Sequence, residues 1–305
     1  MHENIFGIVP PMVTPFRPNG AIDERALRAE TRYLIDAAGV HGLAVCGSTG
    51  EGHTLSTDET RLITAVVCEE AAGRVPIIVG IIANSTAAVI QTGRAVRDLD
   101  VAALQVTPVH YVFRPNDDAM TKHFADIADH TELPIIIYNV VPWTYLSPQL
   151  LTRIIDEVDG VIGVKQSAGD LKLLADLLLM VGDRARVMSA VDALLYPSFA
   201  LGSVGAIAAT LTAVPTLCVD LWDAVQAGDH ARARDLHEKI LPIWNTIVDD
   251  NLPANIRYCM ELQQRDGGVP RPPMPPTSDI QKGPIREALF QAGLLTPDAA
   301  LCEVS

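Results

Sequence analysis

A lysine directly follows an apolar run in GVIGVKQSAGD, residues 160–170. Desolvating an ammonium group costs several kcal/mol, so a lysine in this position usually pairs with an acid or reaches solvent just past a strand's end. In a third interpretation Lys165 lies in a dry pocket and is a nucleophile. Such an amine attacks a ketone to form an imine, which, once protonated, lets a C–C or C–O bond beta to the iminium carbon break or form.

Imine chemistry also needs groups that transfer protons. PIIIYN carries Tyr138 at the end of another apolar run, where a phenol can exchange protons near the amine. The alternative for Tyr138 is an amphipathic core residue whose hydroxyl reaches the surface. The hydroxyls of Ser48 and Thr49, in GSTGEG, are candidates to relay the proton.

The GSTGEG loop, residues 47–52, also has features of an anion site. A turn that exposes successive backbone N–H groups, here from Gly47 onward, binds a carboxylate as readily as a phosphate, so it suits a 2-oxo acid. A nucleotide site is disfavoured because G-x-x-x-x-G-K-[ST] is absent. The alternative is that Ser48 and Thr49, followed by Glu51, only cap a helix. Glu51 is assigned a structural role.

The elements that must position these residues repeat along the chain. Eight apolar runs, which begin at residues 7, 42, 76, 103, 134, 161, 186 and 204, alternate with amphipathic segments of helical periodicity. Strands that are apolar on both faces and joined by helices predict a covered parallel sheet. Eight such units favour a closed α/β barrel, the (β/α)8 TIM barrel, over an open doubly wound sheet, and no GxGxxG motif opens the first turn. The C-terminal ends of barrel strands share one rim, where Lys165, Tyr138 and the GSTGEG loop are predicted to meet.

The chain is predicted to divide into a catalytic barrel, residues 1–228, and a C-terminal helical segment, residues 229–305. No convincing strand follows the eighth run. VPRPPMPPTSD, from Val269, is interpreted as a stiff loop before a helix that is capped by Ser278 or Asp279, in preference to a ligand for a proline-recognition module.

Composition limits the partners and the location. The net charge of −14 argues against nucleic acid or an anionic membrane as a partner. No signal peptide and no apolar run of membrane-spanning length is recognisable, so we expect a cytoplasmic protein. The five scattered cysteines predict free thiols and neither a disulfide nor a metal site.

The order and spacing of these motifs resemble the dihydrodipicolinate synthase and N-acetylneuraminate lyase superfamily of class I aldolases. The resemblance runs through VPPMVTPF, GSTGEG, VTP, YNVVP, GVKQSAGDL, NLPANIRYCMELQ and PRPPMPP. It implies that Lys165 forms a Schiff base with pyruvate or another 2-oxo acid and that Tyr138 transfers protons. It also implies that Ser48 and Thr49 hold the substrate carboxylate and that Ile207, with Gly205 and Ala206, lies beside the bound ketone. No cofactor is implied, and the usual assembly is a tetramer of two tight dimers, so a homotetramer or a homodimer is expected.

Two departures from the family pattern concern the second substrate. The lysine-biosynthetic synthase carries an arginine five residues after the phenol, where this chain has Trp143. Loss of a guanidinium removes a charged hydrogen bond worth about 1.5–3 kcal/mol. A Tyr-Tyr pair of the synthase, one member of which crosses the dimer, reads His110-Tyr111 here, so either residue is a candidate relay. For Trp143 the alternative is packing at the barrel rim, and for His110 it is a solvent-facing position on a loop. Asp192 could orient a loop or contact the substrate, and a structural role is favoured.

The resulting hypothesis is a Schiff-base lyase or synthase that acts on a 2-oxo acid and an aldehyde. The departures favour an apolar or aromatic aldehyde, or a sugar-derived 2-oxo acid. Alternatives within the same chemistry are 4-hydroxy-tetrahydrodipicolinate synthase itself and a 2-keto-3-deoxy sugar-acid dehydratase. The alternative of another class is a non-catalytic barrel that binds carboxylates.

Overall fold

The computed structural model describes residues 5–296 and contains one sheet of eight parallel strands. The strands are β1 Gly7–Ile8, β2 Leu43–Val45, β3 Ile77–Ile81, β4 Ala103–Val106, β5 Ile135–Asn139, β6 Val161–Gln166, β7 Arg186–Ser189 and β8 Gly205–Ala206. Their order is β1-β8-β7-β6-β5-β4-β3-β2. The sheet closes next to β1 and β2, where the Met12 amide donates to the Ala44 carbonyl at 2.8 Å and the Ala44 amide donates to the Pro10 carbonyl at 3.0 Å. The predicted (β/α)8 barrel is confirmed.

Twelve α-helices lie in the described residues. They are α1 Glu24–Arg32, α2 Thr57–Ala71, α3 Thr86–Val96, α4 Asp117–Thr131, α5 Pro148–Glu157, α6 Leu171–Val181, α7 Leu195–Ala200, α8 Thr210–Ala213, α9 Pro215–Gln226, α10 His230–Ile247, α11 Leu252–Leu262 and α12 Asp279–Gln291. Polar side chains cap several starts: Ser56 accepts from the Glu59 amide at 3.2 Å and Asn116 accepts from the Ala119 amide at 2.9 Å. These caps satisfy N–H groups that the first helical turn leaves unpaired, and so help to set where α2 and α4 begin.

Alternate residues of the strands face two separate apolar cores. Ile136 belongs to a small cluster inside the barrel, whereas Ile135 and Ile137 pack outward against the helices. A barrel strand is covered on both faces, which is why the runs are apolar throughout and not alternating. The inner cluster includes Ile207 and fills the barrel beneath the rim.

The C-terminal helices pack against the barrel and share its outer core. Leu236, Ile243, Ile256 and Leu289 are buried in the same apolar cluster as the barrel helices. The turn between α9 and α10 falls at the predicted boundary near residue 228, and the division into two units stays a prediction. The N-cap residue of α12 is Ser278, one of the two residues predicted for that position. Residues 297–305 of the predicted segment lie outside the described residues.

Three ion pairs connect this segment to the first quarter of the barrel. Arg257 Nη2 lies 2.7 Å from Glu51 Oε1 and Arg271 Nη2 lies 2.6 Å from Glu59 Oε1, and the third pair joins Arg265 to Glu30 of α1. The Arg257–Glu51 and Arg265–Glu30 pairs are buried. Removing one partner of a buried pair is strongly destabilising, because the other charge stays buried without a counter-charge. The segment is therefore joined to the barrel by charge as well as by apolar contact.

Three further predictions concern residues 5–296. No helix in this part of the chain is long and apolar enough to cross a membrane. Cys46, Cys68, Cys218 and Cys259 carry free thiols, and Cys302 lies outside the described residues. Among the described side chains, no group of three or more His, Cys, Asp or Glu is arranged to hold a metal ion.

Candidate active site

Lys165 and Tyr138 lie side by side on neighbouring barrel strands. β5 and β6 pair in parallel with Tyr138 opposite Lys165, and Lys165 Nζ lies 3.8 Å from the centroid of the Tyr138 ring. Each residue is only 4% exposed. The two buried salt bridges of the described residues both involve arginines and neither involves Lys165. Lys165 is therefore neither a solvated strand end nor half of an ion pair, which removes both structural alternatives.

The phenol of Tyr138 connects the lysine to the loop after β2. Tyr138 Oη and Ser48 Oγ are 3.0 Å apart, and either hydroxyl can be the donor. Tyr138 is buried, so the alternative of a surface-reaching hydroxyl does not hold. A chain of hydroxyls beside a buried amine has the geometry needed to move a proton between them.

The GSTGEG loop is folded tightly over its own backbone. The Gly50 and Gly52 amides both donate to the Gly47 carbonyl, at 3.1 and 3.0 Å. A Cβ on Gly52 would meet the Cys46 carbonyl oxygen at 1.9 Å, so only glycine fits there. Within the described residues the amides of Ser48 and Thr49 donate no backbone hydrogen bond. The turn thus leaves two adjacent N–H groups available to an anion.

Glu51 anchors this loop to the C-terminal segment. It has a left-handed backbone, with φ of 55°, and a side chain that is fully buried. Besides its contact with Arg257, Glu51 Oε2 accepts a hydrogen bond from the Arg271 amide at 3.0 Å. Burial lowers the pKa of Arg257, and the charge and hydrogen bond of Glu51 oppose that shift. The position agrees with the structural role assigned to Glu51, two residues from Thr49.

A cavity of about 410 Å³ opens at this rim. Its lining includes Lys165, Tyr138, Ser48, Thr49 and Ile207, so the structure brings these five predicted residues together. Drug-sized ligands occupy sites of about 300–1,000 Å³, so the cavity exceeds the needs of a three-carbon acid alone.

The lining of the cavity also includes residues that sequence reasoning missed. Trp244 of α10 and Leu252 and Pro253 of α11 line it, although they lie in the segment interpreted as an appendage. No local pattern distinguishes Trp244 from the other apolar residues of an amphipathic helix. The motif NLPANIRYCMELQ, which carries Leu252 and Pro253, is the one signal that pointed to this part of the chain.

Asp192 lies at the cavity after β7 and has a defined partner. One carboxylate oxygen accepts from the Thr210 amide at 2.6 Å and from Thr210 Oγ1 at 2.7 Å. Burial raises the pKa of Asp192, and the hydrogen bonds from Thr210 and the charge of Lys165 oppose that shift. The bonds from Thr210 fit the structural role favoured for Asp192, and its place in the cavity lining keeps substrate contact open as the alternative.

Four other predicted residues lie outside the cavity lining. Trp143 is 69% exposed, and its indole N–H donates to the His110 carbonyl at 2.8 Å. Tyr111 is 68% exposed, and His110 Nδ1 lies 3.1 Å from the Pro108 carbonyl. Gly47 contributes its carbonyl to the fold of the loop. In the single chain these residues therefore do not meet Lys165, and their substrate and relay roles stay predictions.

Comparison with known proteins agrees with this geometry. Residues 4–292 match the model of the Dihydrodipicolinate synthetase family. A 4-hydroxy-tetrahydrodipicolinate synthase from Methanopyrus kandleri is 34% identical over 298 residues, which cover 97% of this chain and 99% of that protein. The synthase of the same name from Thermomicrobium roseum is 38% identical over 281 residues, 91% of each chain.

Among solved structures, the chloride-inhibited dihydrodipicolinate synthase from Acinetobacter baumannii, complexed with pyruvate, superposes with a TM-score of 0.90. It is 27% identical, and the match covers 95% of this chain and all of that one. Family model and relatives both extend over nearly the whole chain and include the strands that carry the candidate site. The chain therefore belongs to the Dihydrodipicolinate synthetase family, and it is a lyase of the class I aldolase type.

Proposed function

We propose that this enzyme forms a Schiff base between Lys165 and pyruvate, or a related 2-oxo acid, and then makes or breaks a C–C bond to an aldehyde. The observation that carries the proposal is the buried amine of Lys165, which faces a cavity beside a phenol and two unpaired amides. The pyruvate complex of the Acinetobacter baumannii relative supports the choice of 2-oxo acid.

Each group has a role in the proposed reaction. The amides and hydroxyls of Ser48 and Thr49 bind the carboxylate, which directs the keto carbon to Lys165 Nζ. The amine adds to that carbon, and Tyr138 protonates the departing hydroxyl so that water leaves and an iminium ion forms. Loss of a proton from the adjacent carbon gives an enamine, which attacks the aldehyde carbon while the aldehyde oxygen takes a proton. Hydrolysis of the imine releases product, and the reverse sequence is the lyase reaction.

Two alternatives share the imine and differ in the chemical step after it. 4-Hydroxy-tetrahydrodipicolinate synthase activity requires an anionic semialdehyde, and the residue that matches the synthase's arginine is the exposed Trp143. A sugar-acid dehydratase would expel water and retain all the carbons of its substrate, so product analysis separates it from an aldolase. A non-catalytic barrel has no need of a buried amine beside a proton-transferring phenol.

The proposal is tested by trapping the imine. With pyruvate present, borohydride reduction is expected to add one pyruvyl group to the peptide that contains Lys165, as seen by mass spectrometry. Lys165→Ala abolishes the adduct, whereas Lys172→Ala, which removes an exposed lysine of α6 paired with Asp176, retains it. An unchanged intact mass across a panel of 2-oxo acids refutes the proposal.

We also propose self-association, as a homodimer or homotetramer, through the loops after β4 and β5. Tyr111, Phe113 and Trp143 are 68%, 80% and 69% exposed in the single chain, and exposed aromatic groups of this size favour an interface. A location in the cytoplasm stays a prediction from the sequence.

A further inference from the structure

Two helices of the C-terminal segment contribute an apolar wall to the cavity that Lys165 also lines. Trp244 and Leu252 are both partly buried, and both line the cavity. Val140, Ala193 and Pro253 continue the lining with apolar side chains. The cavity of about 410 Å³ is larger than the 2-oxo acid that Lys165 and the GSTGEG loop are proposed to hold, so a second substrate in the same cavity has this wall available for contact.

The charges around the cavity are unsuited to a second anion. Lys165 is the one cationic side chain among the described residues that line it, and the proposed imine uses that amine. Asp192 is the one acidic side chain there. In its charged form Asp192 repels a second carboxylate, and in its protonated form it supplies no compensating cation. An unpaired carboxylate in this cavity would therefore lose hydration without a partner.

The position of Trp244 is held by the helices around it. α10 packs against α9, α12 and the short turn that contains Asp192, so the indole is carried by a packed helix rather than by a mobile loop. A tryptophan side chain offers a large rigid apolar surface, and aromatic groups gain stacking energy against it. The wall therefore favours a flat apolar group over a polyhydroxylated chain, whose hydroxyls would find no partner on these side chains.

We infer that the second substrate is an uncharged aldehyde with an apolar, aromatic substituent that packs against Trp244 and Leu252. This inference rests on the proposed function. It assigns selectivity to the C-terminal segment, whereas the sequence pointed to Trp143. In the reaction, the enamine carbon bonds to the aldehyde carbon, the aldehyde C=O π bond opens, and its oxygen takes the proton.

The test compares aldehydes at fixed pyruvate. Benzaldehyde, glyceraldehyde and succinic semialdehyde serve as the aromatic, polar neutral and anionic probes, with product formation followed by mass spectrometry. For the parent enzyme kcat/KM is expected to be about tenfold or more higher with benzaldehyde than with succinic semialdehyde, as the loss of one charged contact predicts. A preference for the semialdehyde overturns the inference.

Variants locate the source of the preference. Trp244→Ala is expected to lower kcat/KM for benzaldehyde about tenfold, mainly through KM, with a much smaller effect on glyceraldehyde, and Trp244→Phe recovers most of the loss. Leu252→Ala shifts the preference in the same direction. Leu179→Ala, at an 85% exposed position on α6, is the matched control and leaves it unchanged. An equal loss for all three aldehydes in Trp244→Ala, or a change of preference in Trp143→Ala instead, contradicts the inference.

Imine trapping separates this inference from the proposed function. If borohydride traps pyruvate on Lys165 in the parent and in Trp244→Ala, the Schiff-base function stands, and the aldehyde comparison judges the second substrate alone. If no adduct forms in the parent enzyme, the proposed function fails first.

Discussion

The buried pair of Glu51 and Arg257 gives a quantitative prediction that joins stability to catalysis. Arg257 is 4% exposed and donates to three backbone carbonyls, those of Thr14, Pro253 and Gly267, at 2.8–3.0 Å. Glu51→Gln retains an oxygen that can accept from the Arg271 amide, yet it leaves the guanidinium without a counter-charge. Removing one partner of a buried pair costs about 3–5 kcal/mol. Arg257 still donates its three hydrogen bonds to backbone carbonyls in the variant, so we expect the free energy of unfolding to fall by about 3 kcal/mol, the lower end of that range.

The loss in free energy of unfolding is measured by urea unfolding at a fixed protein concentration, followed by tryptophan fluorescence, and the change in Tm by thermal unfolding with the same probe. At about 2 °C per kcal/mol for a chain of this length, Tm should fall by about 6 °C. Arg257→Met and the double variant complete a thermodynamic cycle, in which the double variant is expected to be about 2 kcal/mol more stable than the sum of the single effects. Asp98→Asn, which breaks an exposed pair with Arg61, is the control and should change Tm little.

The catalytic consequence follows from the place of Glu51 in the GSTGEG loop. If the pair holds the Ser48 and Thr49 amides in position, Glu51→Gln raises KM for pyruvate, and imine trapping on Lys165 persists at saturating pyruvate. A loss of stability below about 1 kcal/mol refutes the buried-pair argument. If Glu51→Gln loses the expected stability while KM for pyruvate is unchanged, the glycines and backbone hydrogen bonds of the loop hold it without the pair.

Two further predictions concern a buried histidine and the exposed aromatic loops. Burial lowers the pKa of His123 to about 4, so the neutral imidazole contributes stability that is present above pH 6.5 and is lost as the pH falls toward 4. In urea unfolding across that range, the parent should lose about 3 kcal/mol of stability relative to His123→Gln. Curves of stability against pH that run parallel for the two proteins contradict the argument. Analytical ultracentrifugation should show a dimer or tetramer that Phe113→Asp dissociates and Leu179→Asp does not, whereas a monomeric parent rules out the proposed association.

The local pattern of the sequence determines some features of the candidate site and leaves others open. Alternation of buried strands and amphipathic helices indicated the barrel, because each unit is specified by its own apolar periodicity. Once the barrel is assumed, Lys165, Tyr138 and Ser48 must converge, since parallel strands end at one rim. These three residues meet in the structure, with the phenol and the serine hydroxyl 3.0 Å apart.

Sequence reasoning also assigned Trp143 to the substrate site because it occupies the place of a family arginine. In the structure its indole N–H bonds to the His110 carbonyl, and the side chain turns outward. The direction of a side chain on a rim loop depends on the hydrogen bonds that the loop makes, and residue spacing carries no information about them.

The sequence by itself determined the barrel, its eight strands and the candidate catalytic residues at their ends. Tertiary structure alone decided that Trp244 and Leu252 enclose the cavity and that Arg257 and Arg271 hold the loop through Glu51, 220 positions from Arg271. The physical reason is that strand and helix periodicities are local, whereas docking of the C-terminal helices depends on shape and charge complementarity between segments distant in the chain.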